Sequence, residues 1–177
     1  GYFNLIFMPT SVIYLVANFV IRPVLTRMTV CWNGGDGSGF LAILKRISVL
    51  IGGLTVLAVG GTLILGRFVL MIMEMVLGSS HTGALTDYVP AFALIVLGGG
   101  IYAFGNLLYY SLVIMRLQKN IFCVYVVVAA AAAVISPALV ERMGINGGAM
   151  AYCLFMLMQT AGFGICVFRE FVRKKKG

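Results

Sequence analysis

The chain has 177 residues, of which 62% are hydrophobic and 10% charged, with a formal net charge of +8 and a mean hydropathy of +1.07. Such proportions exclude an ordinary soluble domain and imply an all-α integral membrane protein. The cations fall at the ends of apolar runs, so they report topology and attraction to anionic headgroups, and no nucleic-acid partner is expected.

A helix that crosses about 30 Å of hydrocarbon needs about 20 apolar residues. The charged residues divide the chain into five pieces of that length, and five transmembrane helices are expected. The first runs from Phe3 to Ile21. Along it Asn4, Ser11, Asn18 and Arg22 are spaced 7, 7 and 4 apart, which keeps them within about 40° on a helix. Such a stripe either hydrogen-bonds across a helix interface, with Arg22 snorkelling to headgroups, or lines a water-accessible cavity with Arg22 at its mouth. Pro9 removes a backbone hydrogen bond and predicts a kink. The following "CWNGGDGSGF" lacks the strand and helix context of a nucleotide loop and reads as a flexible Gly-rich connector.

The second span runs from Ile47 to Gly66, between Lys45, Arg46 and Arg67. Beyond it, "RFVLMIMEMVLGSSHTGALTD" has too short an apolar part to cross and carries Glu74, so it reads as a surface-lying or partly re-entrant segment before a polar turn. The third span, 88–115, places Gly98, Tyr102, Gly105, Asn106, Tyr109 and Arg116 on roughly one face. Glycines there admit close helix approach, and tyrosines anchor at interfaces. The run Gly98, Gly99, Gly100 also invites local unwinding, as in the broken helices of transporters. The fourth span, 121–140, contains "VVVAAAAAVISPALV", a small-residue contact face that Pro137 should bend. The fifth, 146–168, carries Gln159 at mid-membrane, where an amide must find a partner. The tail, 169–177, reads as a cytoplasmic anchor.

Short cytoplasmic loops carry excess Lys and Arg. With the tail inside, the inner segments hold Arg169, Arg173, Lys174, Lys175 and Lys176, then Arg116 and Lys119, then Arg22, Arg27, Lys45 and Arg46. These are 11 of the 13 basic residues, leaving Arg67 and Arg142 outside. The expected orientation is N-terminus out and C-terminus in. "GYFNLIF" has neither an initiator Met nor a basic signal-peptide region, so the sequence is expected to begin partway through a longer protein.

Cys31, Cys123, Cys153 and Cys166 show no metal-ligand spacing and read as free thiols, and His81 is the single histidine. No zinc site, cofactor or phosphate-cradling loop is expected, and scattered carboxylates give no acid and base pair for hydrolysis.

Three stretches, "MPTSVIYLVANFVIRPVLTRMTVCWNGGD", "VLGGGIYAFGNLLYYSLVIMRLQKN" and "VISPALVERMGINGGAMAY", resemble successive parts of the second helical lobe of polysaccharide biosynthesis flippases, relatives of the multidrug and toxin extrusion transporters. The resemblance lies in order, spacing and character across nearly the whole chain. It implies a two-lobed protein of the bacterial cytoplasmic membrane that moves an undecaprenyl-pyrophosphate-linked oligosaccharide outward by alternating access. The implied partners are that lipid-linked substrate, membrane lipids, a preceding lobe of the same protein and polysaccharide polymerase machinery. Arg22, with Asn18 beside it, is then the candidate for the pyrophosphate, since a guanidinium offers a planar fork of donors. Asn106, Tyr102 and Tyr109 would meet sugar hydroxyls, with Arg116 at the end of their face. No arginine lies at mid-membrane on the five spans, a departure from the cationic lumen of such proteins. The competing classes are a cation-coupled drug antiporter, which needs an intramembrane acid, a membrane enzyme on lipid-linked sugars, which needs an acid and base constellation, and a noncatalytic scaffold whose stripes are packing surfaces.

Overall fold

In a computed structural model, residues 23–76 and 89–176 are described, apart from the side chains of 67, 69, 70, 73–76 and 174–176. These residues are helical throughout, apart from two tight turns, with no strand among them. Residues 23–33 form α1. Then come α2 (Gly37–Val76), α3 (Val89–Ile114) and α4 (Gln118–Lys176).

Both turns close in the same way. After α1, the Asp36 N–H donates to the Cys31 carbonyl at 2.9 Å and the Gly35 N–H to that of Trp32 at 3.2 Å, with Gly35 at φ 79°. After α3, the Leu117 N–H donates to the Leu112 carbonyl and the Arg116 N–H to that of Val113, each at 3.0 Å, with Arg116 at φ 60°. These paired bonds are Schellman caps, which satisfy terminal carbonyls through one left-handed residue. Asp36 then starts α2: its Oδ1 accepts from the Gly39 N–H at 2.8 Å and from the Ser38 hydroxyl at 2.7 Å. The expected flexible connector is therefore a capped helical corner. Lys45 and Arg46, expected in a loop before the second span, lie within α2 because charge marks contact with water without interrupting the helix. At the far end α2 continues through 67–76, so the apolar part of the expected surface-lying or re-entrant segment prolongs the second helix.

Three helices are long and apolar enough to cross a membrane: Gly37–Gly66, Val89–Ile114 and Gln118–Arg173. They make this an all-helical, membrane-associated protein. The third is folded back on itself. Gly144 stands at φ 56°, ψ −129°, and residues on either side face one another. Gly147 abuts the Leu139 carbonyl, Gly162 lies against Val124, and the Tyr125 and Phe163 rings are 5.5 Å apart. Pairs with nearly constant index sum mean antiparallel arms, here 118–143 and 145–176. Pro137 sits inside the first arm without ending it, and the expected tail is helical to Lys176.

Burial places α3 at the centre: 61% of its most apolar stretch is buried, against 17% for α2 and none for α4. Met28, Phe40, Leu44, Leu107, Leu112 and Phe163 form one core, and Ala91, Phe92, Ile95 and Ala149 another. Large apolar side chains such as Ile64, Val134 and Leu57 face outward, as lipid-facing residues do. Hydroxyls inside the helices are satisfied locally: Ser48, Thr55 and Thr62 each donate to the carbonyl four residues back at 2.8 Å, and Ser111 does so at 2.9 Å. Such bonds hide hydroxyls where water is absent.

Candidate functional site

The glycine run of α3 stays helical, and its role is contact on two sides. A Cβ on Gly98 would lie 2.7 Å from the Tyr152 ring, and one on Gly105 would lie 2.6 Å from Thr160 Oγ1, both on the second arm of α4. One on Gly100 would overlap Thr55 of α2. The three glycines thus let α3 press against both neighbours. The Thr160 hydroxyl crosses one of these seams and donates to the Ile101 carbonyl at 3.2 Å.

Between the contact points lies a polar layer. Tyr102, Asn106 and Tyr109 are half-buried on α3, and their spacing of four and three puts them on one face. On α4, Tyr152 meets Gly98 and the Phe163 ring lies 6.2 Å from that of Tyr109. Gln159 is seven residues beyond Tyr152 and four before Phe163, so it shares their face toward α3. It is 7% exposed, and among the described residues its amide forms no hydrogen bond. A buried amide left without a partner costs about 1–3 kcal/mol. The layer sits near the midpoint of α3.

The structure brings Tyr102, Asn106 and Tyr109 together and sets Arg116 apart. Arg116 is exposed in the turn, at the end of the bundle that also holds Lys119 and Arg169. Tyr109 belongs to an aromatic cluster, with ring centroids 5.3 Å from Tyr110 and 6.4 Å from Tyr125. Asn18 and Arg22, with Asn4, Pro9 and Ser11 of the same expected helix, lie outside the described residues, as does His81. Tyr152 and Phe163 were not singled out from the sequence. Their signal is the seven-residue offset from Tyr152 to Gln159 and the four-residue offset from Gln159 to Phe163.

Electrostatically the described residues hold one ion pair, Arg173 to Glu170 at 3.0 Å. At the first corner the Gly39 N–H, and then the Ser38 hydroxyl, hold the Asp36 carboxyl below its ordinary range. All four thiols are free, and no cluster of His, Cys, Asp or Glu able to hold a metal occurs among the described residues. The layer therefore offers amides, phenols and ring faces, which suit hydroxyl-rich ligands. Comparison with protein-family models, curated proteins and solved structures found no match for the chain.

Proposed function

We propose that the chain is a helical lobe of a lipid-linked oligosaccharide flippase, with five membrane crossings, the N-terminus outside and the C-terminus in the cytoplasm of a bacterial cell. Counting the two arms of α4 separately supports four crossings, at about 39 Å for the 26-residue first arm, and the expected 3–21 span supplies the fifth. The observation that carries the reading is Gln159, a buried amide without a partner among the described residues, in one layer with Asn106 and Tyr102. Groups of this kind hydrogen-bond sugar hydroxyls as they pass, while the cation-rich end receives the lipid pyrophosphate. On this reading Arg22 and Asn18 bind the pyrophosphate, Arg116 attracts it, and a second lobe and polysaccharide polymerase machinery complete the system.

A noncatalytic scaffold is the second reading, favoured by the tight seats of Gly98, Gly100 and Gly105, which serve packing alone. Gln159→Leu separates the two. The flippase reading expects a fluorescent pyrophosphate-linked glycolipid to cross proteoliposome membranes at least about ten-fold more slowly, with unchanged or greater stability, since an unsatisfied polar group has been removed. A wild-type protein that moves no glycolipid with both lobes present, or a variant of it that loses stability with its transport intact, sinks the proposal.

A further inference from the structure

Two hollows follow one another along the seam between α2 and the second arm of α4, floored by α3. The first, of 890 Å³, is walled by Ser38, Leu41, Leu44, Gly164 and Phe168, over Leu108. The next, of 610 Å³, continues with Lys45, Ser48, Thr55, Leu157 and Thr160, over Phe104. From Leu41 to Val56 the trough runs about 22 Å at 1.5 Å per residue, longer than one leaflet of a hydrocarbon core about 30 Å thick.

Its walls are apolar with one exception. Ser48, Thr55 and Thr160 spend their hydroxyls on backbone carbonyls. Lys45 is the one charged residue in the walls of the two hollows, and among the described residues the single ion pair lies elsewhere, between Arg173 and Glu170. It lies at the junction of the hollows, at the end of the bundle shared by Arg46, Arg116, Lys119 and Arg169. A cation beside a greasy trough at the edge of a membrane calls for an anion that carries a hydrocarbon chain.

We propose that the groove binds an anionic membrane phospholipid, with its phosphate on the Lys45 ammonium and an acyl chain along the trough toward Thr55 and Leu157. A zwitterionic headgroup brings a second cation to Lys45 and is disfavoured. The site is separate from the Gln159 layer and stands whether or not the chain moves glycolipids.

The test uses tryptophan quenching in vesicles. The chain has a single tryptophan, so Phe104→Trp in a Trp32→Phe background reports from the groove floor alone. Brominated-acyl phosphatidylglycerol should quench it with about five-fold higher apparent affinity than brominated-acyl phosphatidylcholine, the factor expected for one lysine at an anionic surface. Lys45→Gln should abolish the preference and Lys45→Arg keep it. Arg46→Gln, which removes the same charge one residue away, should leave it in place. Equal quenching by the two lipids, or equal losses in the two Gln variants, would reduce the effect to general attraction and overturn the proposal. Absence of quenching by either lipid would mean that protein fills the groove, which overturns it as well.

Discussion

Gly98→Ala tests the packing that creates the polar layer. The new Cβ would lie 2.7 Å from two carbons of the Tyr152 ring and 3.5 Å from the Cys153 Cα, so the ring must move or α3 must withdraw from α4. Overpacking of this kind costs about 1–3 kcal/mol. Replacing a helical glycine by alanine returns about 1 kcal/mol of propensity, which leaves a net loss of up to about 2 kcal/mol. Gly53→Ala supplies the reference: nothing lies within 4 Å of a Cβ there, so the variant should gain about 1 kcal/mol. Propensity cancels in the difference between the two variants, and about 1–3 kcal/mol of pure overpacking remains. Equilibrium unfolding in mixed micelles on titration with dodecyl sulfate, followed by Trp32 fluorescence, measures both. Equal stability of Gly98→Ala and Gly53→Ala would refute the close seat of Tyr152 on α3.

Two further outcomes concern the turns. Arg116 holds a left-handed φ of 60°, which costs a residue with a Cβ roughly 1–2 kcal/mol. Arg116→Gly should therefore raise stability by up to about 1 kcal/mol once the extra chain entropy of glycine is deducted, while Arg116→Ala should give no gain; the same unfolding titration reads both. Because the folded Asp36 carboxyl titrates below its ordinary value, its capping contribution is complete above about pH 4 and fades as pH falls through the lower, folded pKa. An acid titration of Trp32 fluorescence should show that loss, and Asp36→Asn, which caps without titrating, should flatten it.

The limits of α3 were legible because polar residues bracket its apolar run on both sides: 88–115 was expected, and Val89–Ile114 is helical. The turn near residue 144 was legible for the same reason, since Glu141 and Arg142 interrupt the run there. The stretch from 23 to 46 was not. Charge was read as the end of a helix, whereas Asp36 and Gly35 alone end one there, through hydrogen bonds that depend on a turn of three residues. In α3, the periodicity that grouped Gly98 and Gly105 with Tyr102 and Asn106 was sound, but it carried no information about which neighbour each would touch. The glycines meet Tyr152 and Thr160, residues over 50 positions away, and a helical wheel cannot supply such pairings. The trough beside Lys45 was hidden for a related reason, as it belongs to three helices at once.

The Trp32, Phe40 and Phe171 rings form a triangle with centroids 5.4, 5.7 and 5.7 Å apart. Two of its members flank the first corner, and the third comes from the far end of α4, on the order of 140 residues later, so its formation must await contacts of very long range. During translation the corner leaves the ribosome with one aromatic partner missing, and that end of the bundle stays open until residue 171 has emerged. Insertion of the early helices is therefore separable in time from the closing of this end of the bundle, an interval in which lipid or a chaperone can occupy the place that Phe171 later takes.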